Sequence, residues 1–132
     1  MTILLVSAAA LVDSDGKVLL SQRPKGKEMA GLWEFPGGKV KKSENPETAL
    51  IRELKEELGI FTWNSCLAPL TFASHNYSKF HLLMTLYICR RWEGIAMPKE
   101  GQNLTWVRPI DMKNYKMPPA DTPLIPMLRD WL

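Results

Sequence analysis

Apolar residues cluster in short runs along the chain, separated by loops rich in glycine, proline and charge. Two runs near the start, residues 3–12 and 17–23, predict two strands joined through Asp15-Gly16, a dipeptide typical of hairpin turns. The first run follows no Lys or Arg and is too short to cross a bilayer. We therefore expect a buried strand there, and neither a signal peptide nor a membrane anchor.

Later runs predict the remaining strands and a final helix. Further strands are expected at 62–74, 80–91 and 104–107. The run at 80–91 is apolar enough to lie at the centre of a sheet. Residues 124–131 predict a terminal helix, with the side chain of Asp121 or Thr122 as its N-cap.

One stretch has the period of an α-helix. Its apolar positions recur every four residues, at Leu50, Leu54 and Leu58, and form a stripe that can be buried. Asn45 suits the N-cap, and Pro46 suits the first helical position, where its missing N–H costs nothing. Gly59 suits the left-handed residue just past the end. A helix is therefore predicted over 46–58.

A second face of that helix is acidic. Glu53, Glu56 and Glu57 stand at i, i+3 and i+4, so their carboxylates converge. Like charges at these spacings cost roughly 0.2–0.5 kcal/mol per pair, and the C-terminal half of a helix favours cations. A divalent cation such as Mg²⁺ removes both penalties, because it takes oxygen ligands and is usually shared with substrate phosphates. The alternative is an ordinary solvated helix face, which often has such a sequence.

Composition is that of a globular protein. The chain has 132 residues, 45% hydrophobic and 23% charged, which predicts one domain over 1–132. A net charge of +3 does not require a nucleic-acid partner but helps to attract a polyphosphate. Cys66 and Cys89 lack metal-ligand spacing, so we expect reduced thiols in the cytoplasm, with a disulfide as the alternative.

The stretch 38–60 resembles the Nudix box, G-x5-E-x7-R-E-U-x-E-E-x-G-U, in which U is aliphatic. Its constrained positions are all filled, by Gly38, Glu44, Arg52, Glu53, Leu54, Glu56, Glu57, Gly59 and Ile60. The resemblance implies a Nudix fold, an α/β/α sandwich in which this helix and the terminal helix flank a mixed central sheet. It also implies a metal-dependent hydrolase that cleaves a nucleoside diphosphate linked to another moiety.

Two further segments, Gln22-Arg23-Pro24 and residues 31–39, narrow the resemblance to the MutT type. Enzymes of that type are nucleoside triphosphate pyrophosphohydrolases that sanitise the nucleotide pool and so prevent mutation. The resemblance implies hydrolysis of 8-oxo-dGTP to 8-oxo-dGMP and pyrophosphate with Mg²⁺, or alternatively Mn²⁺. The expected partner is a small nucleotide, without stable binding to nucleic acid or to a membrane.

The same resemblance implies the site residues. The metal ligands would be Gly37 through a nearby carbonyl, Glu53, Glu56, Glu57 and Glu100. Glu53 would act as the general base, with Arg52 orienting it. Arg23, Phe35 and Asp121 are the candidates for binding the nucleoside. Taken alone, Arg23 is more typical of a solvated strand end, and Glu100 is more typical of a plain loop carboxylate. Phe35 fits a core residue and a wall of the base pocket equally well.

Asp121 departs from the best-known MutT pattern, which has Asn at this position. An ionised Asp accepts hydrogen bonds and cannot donate, so it favours the N7–H of 8-oxoguanine over the N7 acceptor of guanine. It can instead accept from guanine N1–H and N2–H, or from cytosine N4–H. The Nudix resemblance also leaves other substrates open, namely CTP or another pyrimidine triphosphate, ADP-ribose and dinucleoside polyphosphates. A Nudix-fold binding module without catalysis is the alternative function.

Overall fold

The computed structural model describes residues 2–132. The strands are β1 (Ile3–Leu11), β2 (Val18–Gln22), β3 (Trp33–Glu34), β4 (Gly37–Lys39), β5 (Leu67–Asn76), β6 (His81–Cys89) and β7 (Asn103–Val107). The helices are α1 (Pro46–Leu58) and α2 (Leu124–Trp131), with short 3₁₀ helices at Asn64–Cys66 and Pro109–Asn114. No helix within residues 2–132 is long and apolar enough to cross a membrane. Cys66 and Cys89 are free thiols, so the disulfide alternative is wrong.

The strands form two sheets. The larger has the order β4-β1-β6-β5, and the smaller has the order β3-β2-β7. β1 and β6 are parallel over their full length, whereas the other pairs are antiparallel. The expected mixed sheet is therefore confirmed. The run predicted at 80–91 contains β6, which is an interior strand of the larger sheet, as expected.

The larger sheet is buried on both faces at β1. Successive side chains of a strand point to opposite faces, so Ala9 and Leu11 pack in one core cluster and Ala8 and Ala10 in the other. The first cluster contains the α1 stripe, Leu50, Leu54 and Leu58. The second contains Leu124, Ile125 and Leu128 of α2. This arrangement explains the unbroken apolar run of β1 and confirms the α/β/α sandwich.

The hairpin predicted for the first two strands is only partly correct. The turn forms, because the carboxylate of Asp13 accepts from the backbone N–H groups of Asp15 and Lys17 at 3.0 and 2.8 Å. Pairing then stops at a single bridge between Val12 and Val18. β4 and β6 occupy the two edges of β1, so β2 pairs with β3 and β7 in the other sheet.

The predicted ends of α1 are confirmed. The Asn45 side chain accepts from the N–H of Thr48 at 2.8 Å, and Pro46 is the first helical residue. Gly59 has a φ of 70°, and its N–H donates to the carbonyl of Lys55 at 3.0 Å. These local signals fix both the start and the end of the helix that carries the acidic face.

The predicted side-chain cap of α2 is wrong. Pro123 stands at the N-cap position, and no side chain within residues 2–132 caps the helix. The Thr122 hydroxyl donates instead to the carbonyl of Pro118 at 3.3 Å. Asp121 is buried and contributes only its backbone carbonyl, which accepts from the N–H of Leu124 at 3.0 Å. The carboxyl of Asp121 is therefore free for another role.

Leu54→Ala should destabilise the fold, because Leu54 is 0% exposed between α1 and the sheet. The expected loss in the free energy of unfolding is about 2–5 kcal/mol, from lost apolar burial and the remaining cavity. Urea unfolding measures it. Ile95→Ala is the control, since Ile95 is 83% exposed, and should change the value by no more than about 0.5 kcal/mol. A Leu54→Ala loss as small as that of the control would contradict this packing.

Candidate functional site

Two glycines bring β4 close to both β1 and α1. Gly37 has a φ of 153°, and a Cβ there would overlap the carbonyl oxygen of Ser7 on β1. A Cβ on Gly38 would lie 2.5 Å from the carboxyl carbon of Glu53. Only glycine permits both approaches. The backbone of β4 therefore lies directly beside the acidic face of α1, and the N–H of Gly37 donates to Glu57 Oε2 at 3.3 Å.

Arg52 is at the centre of an ion-pair network. Its Nε and Nη2 donate to the two carboxylate oxygens of Glu44 at 2.7 and 2.9 Å, which lowers the pKa of Glu44 to about 2. Its Nη1 donates to Glu53 at 2.7 Å and to Glu56 at 3.3 Å. A further bond joins Nη2 to the carbonyl of Lys39 at 3.1 Å. Arg52 thus balances the charge of the acidic face and ties α1 to β4.

Glu57 lies in the most unfavourable surroundings for a negative charge. Burial raises its pKa. The carboxyl group of Glu53, which also hydrogen-bonds to it, raises the pKa further, and so does the charge of Glu100. The N–H of Gly37 acts in the opposite direction but is too weak to compensate. The pKa of Glu57 therefore lies well above its usual range. The solvated-face interpretation fits Glu56, whose side chain is 52% exposed, but not Glu57.

This donor set suits a hard divalent cation. Its atoms are carboxylate and carbonyl oxygens, and a bound cation would relieve the repulsion among the crowded carboxyl groups. Within residues 2–132, no three acidic, His or Cys side chains already converge as a metal cluster. Glu53 and Glu56 face Arg52, and Glu57 faces the N–H of Gly37. A cation would draw these carboxylates away from those partners.

The loop that carries Glu100 is anchored on the C-terminal end of α1. The carbonyl of Glu57 accepts from the N–H of Lys99 at 3.0 Å and from Nε2 of Gln102 at 2.9 Å. The carbonyl of Leu58 accepts from the N–H of Met97 at 3.0 Å. These are carbonyls that the helix itself leaves without partners. The loop between β6 and β7 therefore lies next to Glu57, as the resemblance implied for Glu100.

Two cavities border the acidic centre. The first, of about 300 Å³, is lined by Arg23, Phe35, Gly37, Glu53, Glu57, Tyr77 and Asp121 among others. The second, of about 200 Å³, shares Arg23, Phe35, Gly37 and Glu57 and adds Lys27, Glu100 and Gln102. All the predicted site residues except Arg52 and Glu56 line one or both. Larger surface grooves of about 520 and 760 Å³ contain none of them.

Asp121 lies in the wall of the first cavity and is 5% exposed. Burial raises its pKa from 3.8 to about 7, and the negative charge of Glu34 adds to the shift. The backbone N–H of Phe35 and the charge of Arg23 act in the opposite direction. Both protonation states are therefore populated near neutral pH. The assumption that Asp121 is always ionised, and only accepts hydrogen bonds, does not hold.

Arg23 is not a solvated strand end. Its Nε donates to the two carboxylate oxygens of Glu34 at 2.6 and 3.1 Å, and Nη1 donates to the carbonyl of Glu28 at 3.2 Å. The pair lines both cavities and holds the guanidinium beside Asp121. Arg23 therefore contributes a fixed positive charge to the wall of the site.

Among the polar residues of the cavity walls that were not predicted, Glu34, Tyr77 and Gln102 use their side chains to hold the segments that carry predicted site residues. The hydroxyl of Tyr77 accepts from the N–H of Ala120 at 3.3 Å and so supports the turn that carries Asp121. A sequence signal existed only for Glu34, a charged residue between the aromatic residues Trp33 and Phe35. The contacts of Tyr77 and Gln102 join distant parts of the chain, so no local pattern indicates them.

Comparisons with known proteins show the family and the fold of the chain. The model of the NUDIX domain family matches residues 7–127. The CTP pyrophosphohydrolase of Escherichia coli (strain K12) is 40% identical over 119 residues, which cover 89% of this chain and 85% of the relative. The 8-oxo-dGTP diphosphatase of the same organism is 30% identical over 124 residues, covering 94% and 95%. A MutT structure from a study of Aliivibrio salmonicida and Vibrio cholerae has a TM-score of 0.84 at 29% identity, covering 99% and 100%.

Glu57→Gln should remove a pH dependence of stability. Because the pKa of Glu57 is higher in the folded than in the unfolded state, the folded protein holds more protons above about pH 4.5. The free energy of unfolding should therefore fall as pH rises from there. In Gln, an amide replaces the carboxyl and keeps an acceptor for the N–H of Gly37. The variant should be more stable at alkaline pH by roughly 1–3 kcal/mol.

Urea unfolding in EDTA, from about pH 5 to 9, measures this difference. The control is Glu56→Gln on the same helix, which should keep the wild-type dependence because Glu56 is exposed. If Glu57→Gln loses stability with pH as steeply as the wild type, the crowding described for Glu57 is wrong.

Proposed function

Since the chain belongs to the Nudix family of hydrolases, we propose that it hydrolyses oxidised purine nucleoside triphosphates, principally 8-oxo-dGTP to 8-oxo-dGMP and pyrophosphate. One observation carries the proposal: a single cavity connects the acidic centre at Glu53 and Glu57 with the buried Asp121. A nucleotide can place its phosphates at the first end and its base at the second. Relatives named 8-oxo-dGTP diphosphatase, at 30–36% identity, support the same substrate.

CTP is the second candidate substrate. The relative named CTP pyrophosphohydrolase is 40% identical to this chain over most of both sequences. The ionised form of Asp121 can accept from cytosine N4–H as well as from the N7–H of 8-oxoguanine. Both substrates give a nucleoside monophosphate and pyrophosphate, so the acidic centre serves them in the same way.

The cofactor belongs to the same proposal. Hydrolases of this family need divalent metal ions, and we assign Mg²⁺, with Mn²⁺ as a substitute, to this chain. Its ligands would be the carboxylates of Glu53, Glu56, Glu57 and Glu100 and a carbonyl near Gly37. When bound, the metal supplies charge neutralisation for the phosphate groups. The crowded oxygen donors support this assignment.

The catalytic groups of the chain would be Glu53 and its neighbour Arg52. Arg52 Nη1 donates to one Glu53 oxygen at 2.7 Å, which limits rotation of the carboxylate. Glu53 would then accept the proton of the attacking water, with Arg52 as a positioning residue. At the far end of the cavity, Arg23, Phe35 and Asp121 would bind the nucleoside.

In the cell, this activity would remove oxidised nucleotides before they enter DNA and so prevent mutation. We propose that residues 1–132 act as one catalytic domain in the cytoplasm. The two free thiols, Cys66 and Cys89, suit a reducing compartment.

Glu53→Gln should abolish most of the activity without unfolding the protein. The amide cannot take a proton from water, so we expect kcat to fall by roughly 10²–10⁴-fold. The measurement is pyrophosphate release from 8-oxo-dGTP with Mg²⁺, and EDTA should stop the wild-type reaction. Glu93→Gln, on an exposed residue outside the site, is the control. Wild-type turnover in Glu53→Gln would exclude Glu53 as the base.

Base selectivity should depend on pH through Asp121. Below about pH 7, the protonated carboxyl of Asp121 can donate a hydrogen bond to N7 of dGTP. Above about pH 7, the ionised carboxylate can only accept, which suits the N7–H of 8-oxo-dGTP and not the N7 of dGTP. The ratio of kcat/KM for 8-oxo-dGTP to that for dGTP should therefore rise by roughly tenfold between about pH 6 and 8, within the range of a single base contact.

Asp121→Asn is the matched control, because it donates and accepts without titrating and should make that ratio independent of pH. Asp121→Ala should lower the ratio at alkaline pH. The hypothesis fails if the wild-type ratio is constant or if Asp121→Ala leaves it unchanged. CTP, ADP-ribose and a dinucleoside polyphosphate, assayed in the same series, decide among the alternative substrates.

A further inference from the structure

Gln102 is a buried side chain that joins the two segments of the acidic centre. It is 7% exposed, and its amide uses both of its ends. Nε2 donates to the carbonyl of Glu57 at 2.9 Å, and Oε1 accepts from the N–H of Glu100 at 2.8 Å. These contacts fix which end of the amide faces the helix and which faces the loop.

The side chain of Glu100 has no comparable restraint. Within residues 2–132, no hydrogen bond or ion pair holds its carboxylate, and the residue is exposed on the loop before β7. The direction of that carboxylate therefore depends on the backbone of Glu100. Lys99 bonds to the helix through its own N–H, but the N–H of Glu100 itself is bonded only to Gln102 among these residues.

We infer that Gln102 is a positioning residue, which holds Glu100 beside Glu57 so that the two carboxylates can act on one ligand. Both residues line the cavity of about 200 Å³, and Gln102 lies in the wall between their backbones. The inference rests on the proposed function, because the shared ligand is the divalent cation assigned to these carboxylates. It adds a neutral residue that would not bind the cation itself, because both ends of its amide are already hydrogen-bonded to Glu57 and Glu100.

Gln102→Leu tests the inference, since it removes both hydrogen bonds with little change in volume. Mn²⁺ affinity of the full chain, measured by titration calorimetry without nucleotide, is the main readout. We expect Gln102→Leu to weaken binding by roughly 10–100-fold, the range for residues that orient metal ligands. Asn103→Leu is the matched control: Asn103 is the next residue, and its amide donates to Gln22, away from the helix. It should keep wild-type affinity.

A double-mutant cycle separates positioning from a general structural role. If Gln102 acts through Glu100, Glu100→Gln should weaken Mn²⁺ binding in the wild type but have little further effect in Gln102→Leu. Losses that multiply in the double variant would overturn the inference. So would Gln102→Leu with wild-type affinity. Gln102→Met, which lacks the same hydrogen bonds but is more flexible, replaces the Leu variant if that protein does not fold.

The outcomes also separate this inference from the proposed function. If Glu100→Gln weakens Mn²⁺ binding and Gln102→Leu does not, the inference alone is wrong. If the wild type binds Mn²⁺ and Glu100→Gln binds it equally well, Glu100 is not a ligand and the inference falls with that assignment. Turnover at rising Mg²⁺ gives an independent check: Gln102→Leu should raise the Mg²⁺ concentration for half-maximal rate more than it lowers the maximal rate.

Discussion

The crowding of the Glu53 and Glu57 carboxyl groups between α1 and β4 is the constraint on which the rest of the site depends. Burial and the proximity of Glu53 together raise the pKa of Glu57, which costs stability when the carboxyl is ionised. The buried leucine stripe of α1 supplies the packing that keeps the helix in place, and two glycines let β4 approach it. Arg52 offsets part of the charge. Unfavourable electrostatics maintained by a well-packed scaffold are typical of functional sites.

A second carboxyl group, that of Asp121, gives the same cavity a different chemistry. Its neighbours are the Arg23–Glu34 pair and the backbone of Phe35. Burial leaves it near its titration midpoint at neutral pH, so one side chain can donate or accept. That versatility is compatible with relatives named for a purine and for a pyrimidine nucleotide. In the proposed function, the carboxylates of the cavity would hold the metal beside the phosphates, and Asp121 would contact the base.

Sequence predicted the features that depend on neighbouring residues. The helix α1, with its cap at Asn45 and its stop at Gly59, is confirmed because caps and an apolar stripe are local signals. The predicted turn after β1 forms, but the expected pairing of β1 with β2 is wrong because β4 and β6 occupy the edges of β1. β3 and β4 have two and three residues, too few for a period. The hydrogen bond of Gln102 to Glu57 and the burial of Asp121 depend on contacts between distant parts of the chain. No local pattern in the sequence predicts such contacts.

The central claim is that these carboxylates hold a divalent cation beside the phosphates of a nucleotide whose base reaches Asp121. A crystal structure with Mn²⁺ and a non-hydrolysable 8-oxo-dGTP analogue tests it most directly, because anomalous scattering locates manganese without ambiguity. We predict a manganese peak bound by Glu53 and Glu57, with the analogue's base against Asp121 and Phe35. Manganese bound elsewhere, or a base outside this cavity, would contradict the account.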